Sequence, residues 1–564
     1  MPRRLWVVGL SSLLATACGN DSWLGPTLPL CTASSDSLKL ALAGDTAIDP
    51  GPNLGCIAFG ANLSGSPIQY LIVPQSANGV PTRAPSFLLR STTVPPAAPV
   101  GVTLAAAPSV PTQQQFDWRL RRVERDLALR MGPPPPPPAR AALAPSAPQA
   151  PPVPGDVRAF KVCGDTLCLA GSMVTVKATA KTVGGHVAIY VDSADITRGD
   201  TLGTVDLRAF AAVFDTLLYP TDTAAFGRES DIDHNGVVIV LMTGRINALA
   251  GTSGCTGAYI GGYFFGGDLL AGYKGGNNAE IFYSIVPDPL SKVSCVSHSA
   301  SEVKKTIPAT FIHEFQHMIS FNQHYLLRGG SPEELWLNEG LSHYAEELGG
   351  RQFLPGDSAT YCYFLFGDLS NSFTYFADPQ SAFLVDTSTI GSLASRGAFW
   401  LFVRFLVDQF ASDTSTAAAA VLTSRLDSTT LTGVANVANA VGVSFATIAE
   451  RWVLANYVSD LPGFTPGTEL RYRKWQFRSD YPTTSARCSV LTGVANFPNV
   501  YPLFPTTGVG NSTNLVGTLP TGSGTYYIAQ QAASDPGFTL LFSDGSGRAL
   551  RPSHVPRLNV IRIQ

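Results

Sequence analysis

A chain of 564 residues, with 45% hydrophobic and only 14% charged residues, is too long for a single core and has the composition of a mostly folded protein of two to four domains. A net charge of −3 and the absence of any long basic run exclude a nucleic-acid-binding protein.

The N-terminus reads as an export signal over residues 1–17. Arg3 and Arg4 precede an apolar run from Leu5 to Ala17 that is too short to span a membrane. The run ends in Ala15-Thr16-Ala17-Cys18-Gly19, a pattern cleaved before a cysteine that then carries lipid. Ala15 stands where that box more often has Leu, and ordinary cleavage near Ala17 is the alternative. Cysteine parity favours the lipid: of nine cysteines, setting Cys18 aside leaves eight. In sequence order these offer the pairs 31–56, 163–168, 255–295 and 362–488, although spacing alone leaves the connectivity open. The expectation is a protein exported to the cell envelope, tethered by residues 18–30 to the outer surface or outer membrane.

Residues 31–93 alternate in the manner of strands separated by Gly, Pro and Asn, which predicts a small N-terminal β domain. Residues 94–156 form a Pro/Ala-rich linker containing one helix from Gln113 to Arg130, with Phe116, Leu120, Val123 and Leu127 on one stripe. The prolines from Pro133 to Pro138 end that helix. The linker reads as a spacer, with a removable pro-region as the second reading. A β module over 157–199 and a helix from Thr201 to Tyr219 follow.

Asp231-x-Asp233-x-Asn235-Gly236 is the first half of a calcium loop, but Met242 occupies the position that needs an acid. A plain Asx-rich turn is the competing reading. Gly251–Asn278 reads as a glycine-rich loop. The run from Ala279 is a strand placed to serve as a sheet edge for an extended substrate.

The chemistry is concentrated in His313-Glu314-Phe-Gln-His317 and in Trp336-Leu-Asn-Glu339-Gly-Leu-Ser-His343. At about 100° per residue the two histidines lie about 40° apart on a helix, with Ile307, Phe311, Ile312, Phe315, Met318 and Ile319 opposite. Two imidazoles one turn apart hold a zinc ion, a third ligand leaves one position open, and a nearby carboxylate accepts the proton of an attacking water. Glu314 suits that base. A second amphipathic helix, beginning near Ser331-Pro332, carries Glu339, Ser342, His343 and Glu346 on its polar stripe.

His313-Glu-x-x-His317 followed by Asn338-Glu339-Gly resembles the gluzincin metallopeptidases, the group that includes thermolysin. The longer text around both helices is similar to the hyicolysin-type neutral metallopeptidases, mainly over residues 200–460. The resemblance implies zinc held by His313, His317 and Glu339, with Glu314 as catalytic base of an endopeptidase. Thermolysin-like enzymes carry an Asp four residues after the glutamate ligand, and here that position is His343. His343 and Glu346 are therefore the candidates for supporting the ligands or binding substrate. Tyr361, Tyr363 and the neighbourhood of Arg396 are the candidates for the oxyanion.

Beyond the motif, Gly397–Phe410 predicts a buried helix, with further helices at 415–425, 431–441 and 444–457. Alternation returns over 461–564, which predicts a C-terminal β-sandwich. The expected fold is α+β: a thermolysin-like zincin unit over 200–460, with a mixed upper and a helical lower lobe, flanked by β-sandwich-like terminal domains. The expected function is a lipid-anchored zinc metalloendopeptidase with one zinc per chain, calcium as a second candidate ion, and a protein or peptide substrate. The alternative is a surface adhesion lipoprotein with a structural zinc.

Overall fold

Early and late strands of the described residues build one β-sandwich, docked on an α/β unit drawn from the middle of the chain. The computed structural model describes residues 25–28, 31, 37–38, 47–48, 55–81, 84–91, 113–133, 150–251, 259–354, 356–385 and 392–564. The signal segment, Cys18 and Cys255 lie outside them.

The early strands are β1 (Ser37–Leu38), β2 (Ala47–Ile48), β3 (Cys56–Phe59), β4 (Ile68–Ser76) and β5 (Ser86–Ser91). The central ones are β6 (Val157–Cys163), β7 (Met173–Val183), β8 (Val187–Asp192), β9 (Val238–Met242), β10 (Gly262–Phe264) and β11 (Ile281–Ser284). The last are β12 (Thr506–Val509), β13 (Asn514–Thr518), β14 (Tyr527–Gln531), β15 (Phe538–Asp544) and β16 (Pro556–Arg562).

The terminal strands interleave as β1-β3-β15-β5-β13 and β12-β14-β4-β16-β2. Strand β15 sits between β3 and β5, with Phe538 opposite Phe59 and Phe542 opposite Leu89. The expectation of separate N- and C-terminal β domains is thus corrected to one sandwich. Alternation tells a strand which face is apolar, but not which strand lies beside it. Ile57, Phe59, Phe87, Leu89, Leu540 and Phe542 face Tyr70, Ile72, Tyr527, Leu558 and Val560 in its core. The other face of the second sheet, through Leu71, Val73, Ile528 and Ile561, joins the main core. Gln75 Nε2 donates to the Ala449 carbonyl and the Tyr526 hydroxyl to the Val453 carbonyl, so the sandwich is docked on the helices.

The central sheet runs β10-β11-β9-β8-β7-β6. β8, β9 and β11 are parallel and fully buried, and β10 lies antiparallel at the edge. The expected edge at Ala279 is therefore corrected: β11 is internal, and the edge comes from the glycine-rich stretch read as a loop. Three residues flanked by glycine are too few to show alternation.

Helices at Leu335–Arg351, Ser358–Ala377, Leu393–Phe410, Thr416–Asp427, Gly433–Val441 and Phe445–Val458 make the helical part. It extends further than expected, because Phe477–Thr492 is a helix rather than part of a β domain. Phe477, Tyr481, Ser485 and Cys488 form its buried stripe, a helical spacing masked in the sequence by Pro482. Cys488 bonds to Cys362 across 126 residues, and Cys31–Cys56 and Cys163–Cys168 also form. No helix among the described residues is long and apolar enough to cross a membrane.

One buried carboxylate of the helical part makes stability depend on pH. Glu333 accepts from the backbone N–H of Gly433 at 2.6 Å and from Asn436 Nδ2 at 2.7 Å, clamping two helix starts together. Burial outweighs these bonds and pushes its carboxyl up to about 8. Between its usual range and pH 8 the unfolded chain releases this proton and the folded chain keeps it. Stability from this group is therefore complete at low pH and lost as pH rises through about 8. In thermal unfolding at pH 5, 6.5 and 8, the wild type is expected to fall relative to Glu333→Gln as pH increases. Parallel curves would exclude this linkage.

Candidate metal centre

The helix Ala300–Phe321 is capped by a reciprocal Ser299–Glu302 box and packs its apolar side on β11, with Phe311 against Phe282 at 5.3 Å between ring centroids. That packing fixes the rotation of the helix, so His313 and His317 point toward the helix Leu335–Arg351 and Glu314 toward the edge strand β10. Gly349 lets this second helix approach the first closely, since a Cβ there would sit 2.7 Å from Ile312 Cδ1. Glu339 of the same helix meets both histidines.

The three donors form a small triangle. His313 Nε2 and His317 Nε2 are 3.2 Å apart, His313 Nε2 is 3.6 Å from Glu339 Oε2, and His317 Nε2 is 3.5 Å from Glu339 Oε1. Zinc–ligand bonds near 2.05 Å at tetrahedral angles require ligand atoms about 3.3 Å apart. The other ring nitrogens already have partners: His313 Nδ1 donates to Glu346 Oε1 at 2.7 Å, and His317 Nδ1 to Ser342 Oγ at 3.0 Å. Ser342 Oγ in turn donates to Gln316 Oε1. These partners fix both ring orientations, so that the two Nε2 atoms face the Glu339 carboxylate. Neither oxygen of Glu339 accepts a hydrogen bond. A buried triangle of acceptors fits a cation.

Charge is arranged to match. Burial alone would raise the Glu339 carboxyl, but the Arg396 guanidinium, 3.2 Å from Oε2, more than reverses this and holds it well below the carboxylate range. Glu339 thus stays ionised, as a ligand must. Glu314 stands to one side, its Oε2 accepting from the Phe264 N–H of β10 at 2.7 Å. Burial pushes its carboxyl up to about 7, against the pull of His313. This is a proton acceptor suited to neutral pH.

Both helper residues named from the sequence lie at the centre. Glu346, two turns after Glu339, supports His313, while His343 Nδ1 contacts Glu346 Oε1 at 2.9 Å and Asp368 Oδ1 at 3.0 Å. Sequence reasoning missed Asp368, which only tertiary packing delivers, and Ser342, which stood on the polar stripe without a role. The oxyanion candidates Tyr361 and Tyr363 lie elsewhere: the Tyr363 hydroxyl donates to the Thr492 carbonyl, and Tyr361 is buried near Arg351.

The centre does not open on a cleft. His313, Glu314, His317 and Glu339 are 7, 4, 2 and 1% exposed, because the linker helix, here Gln113–Met131, lies over them. Asp117 of that helix pairs with Arg396, and a cavity of about 10 Å³, the room of one water, remains between them and Glu339.

The calcium half-loop is corrected in one residue. Asn235 turns inward, donating from Nδ2 to Asp233 and accepting at Oδ1 from the Val237 N–H, as in an Asx turn. Its place is taken by Glu280, which gathers with Asp231 and Asp233. Glu280 Oε1 accepts from Ser230 and the Ile232 N–H, while Oε2 is buried without a hydrogen bond.

The His-His-Glu triangle beside a buried carboxylate is a candidate metal-binding site. Part of the chain is similar to the neutral metalloprotease ShpI of Staphylococcus hyicus, at 31% identity over 136 residues. That stretch spans 24% of this chain and 29% of ShpI, a distant likeness to a metallopeptidase. No family model matches the chain.

Proposed function

We propose that the protein is a zinc metalloendopeptidase of gluzincin type with a thermolysin-like catalytic unit. The observation that carries this reading is the acceptor triangle of His313, His317 and Glu339 beside the Glu314 carboxylate. Among the described residues no fourth His, Cys, Asp or Glu joins that triangle, which favours a catalytic site over a closed structural one. Zinc held there supplies Lewis acidity toward a carbonyl oxygen and a lowered water pKa. Glu314 takes the proton of the attacking water at its carboxylate and returns it to the departing amine. Glu346 and Ser342 keep the two Nε2 atoms aimed, and Arg396 keeps Glu339 charged. The test is zinc content together with casein cleavage, on the intact chain and after the covering helix is freed. About one zinc per chain and chelator-sensitive cleavage are expected. Cleavage absent in both forms, or indifferent to chelation, overturns the reading.

Asp231, Asp233 and the buried Glu280 are proposed as a structural calcium site. Added calcium is expected to raise the thermal midpoint of the wild type and not of Glu280→Gln, and equal responses would refute it. Export and lipid anchoring through Cys18 complete the proposal. Cys18→Ser is expected to move the protein from the membrane to the soluble fraction, and an unchanged distribution would exclude the anchor.

A further inference from the structure

An edge strand is a docking line for an extended peptide, because its outward N–H and C=O groups have no partner within the sheet. In this protein the outward carbonyls of β10 and the N–H groups of Gly261 and Gly266 on either side of it are already taken by one helix, while the Phe264 N–H goes to Glu314. The Gly261 N–H donates to Gln113 Oε1 at 2.8 Å, and Gln113 Nε2 donates to the Gly262 carbonyl at 3.1 Å. The Arg121 guanidinium donates to the Phe264 carbonyl, and the Gly266 N–H donates to Glu124 Oε1 at 2.6 Å. Asp117, from the same stripe, takes Arg396. Residues 113, 117, 121 and 124 fall within about 80° of one another on a helix, so a single face makes all these contacts.

We propose that the helix Gln113–Met131 is a built-in competitor for β10 that holds the enzyme latent, and that substrate binds when the helix leaves. The inference rests on the peptidase reading above. Its side chains satisfy the backbone groups that an incoming strand would use, so helix and substrate exclude each other. The face it presents is also unusual for a helix that serves only stability. Asp117, Arg121 and Glu124 are all buried, although charged residues seldom are. Burying such groups beside Phe116, Leu120 and Leu127, which join the main core, costs desolvation that a purely apolar face would avoid.

Pro/Ala-rich sequence flanks the helix on both sides, over 94–111 and 133–154. The strands before it stay paired with β13, β15 and β16 in the sandwich. What leaves is therefore the helix alone, not the N-terminal module.

The test compares the full chain with two derivatives. One is Arg121→Ala/Glu124→Ala. The other carries recognition sites for a sequence-specific protease in both Pro/Ala-rich segments and is assayed before and after cutting, so a folding defect in the first leaves the second decisive. Three readouts are taken: kcat/KM on a quenched fluorescent peptide, amide hydrogen exchange at Gly261–Gly266, and the rate of zinc extraction by EDTA. Both derivatives are expected to exchange and lose zinc faster. They should gain roughly tenfold or more in kcat/KM, mainly through KM, as the competent fraction rises. Adding the 113–131 peptide to the cut protein should reverse the gain. Unchanged exchange and extraction, with cleavage no faster than in the intact chain, overturns the proposal. Faster exchange with no cleavage in any form upholds the masking and overturns the peptidase reading instead.

Discussion

Glu314→Gln is expected to lower kcat/KM for peptide hydrolysis by roughly 10²–10⁴-fold while the protein keeps its zinc. The substitution preserves size and an oxygen able to accept from the Phe264 N–H, so the contact between the metal helix and β10 survives. What it removes is the basic carboxylate, which burial has pushed up to about 7, where it accepts and releases a proton at neutral pH. His313, His317 and Glu339 are untouched, so metal content should match the wild type. The comparison is made on the form with the covering helix freed, where access does not limit the rate. Wild-type activity in the variant would exclude Glu314 as the base. Loss of zinc along with activity would instead assign it a part in holding the centre together.

Glu346→Gln is expected to weaken zinc binding by about 10–100-fold, the usual cost of removing a charged partner behind a histidine ligand. Its Oε1 accepts from His313 Nδ1 at 2.7 Å and also lies 2.9 Å from His343 Nδ1, so one oxygen steadies both rings. A neutral amide keeps the shape but no longer raises the basicity of the His313 ring. Competition against a chromophoric chelator measures the affinity, and thermal unfolding of the zinc-free protein supplies the control. A lower unfolding temperature with unaltered zinc affinity would make Glu346 a packing residue only. The substitution also tests the departure from the thermolysin pattern, in which the supporting acid lies one turn after the glutamate ligand. Here that turn holds His343, and the acid sits a turn further on, seven residues after Glu339.

The candidate metal centre was legible because its geometry is local to two helices. His313 and His317 share a face by spacing alone, and Glu339 heads a polar stripe opposite an apolar one. Each helix therefore had a single way to be buried, and burying both brings the stripes together. The supporting shell was half legible for the same reason: Ser342, His343 and Glu346 lie on the Glu339 stripe, whereas Asp368 and Arg396 arrive from other helices. The neighbouring cysteines at 31–56 and 163–168 also paired as proximity implied.

By itself, then, the amino-acid sequence determined the proposed donor set, the Glu314 carboxylate beside it and the faces of the helices that carry them. Tertiary structure alone decided what surrounds them. Pairing β15 between β3 and β5 is a choice among many apolar strands, made by the fit of Phe59, Phe87, Phe538 and Phe542 across the whole length of the chain. The brevity of β10 hid the sheet edge. The same holds for Gln113–Met131, whose apolar stripe announced a helix while its charged residues gave no sign of a partner. Asp117, Arg121 and Glu124 are buried because Arg396 and the free backbone of β10 await them. A charge in a sequence reads as solvent-facing until its counterpart is placed, and only the fold places it.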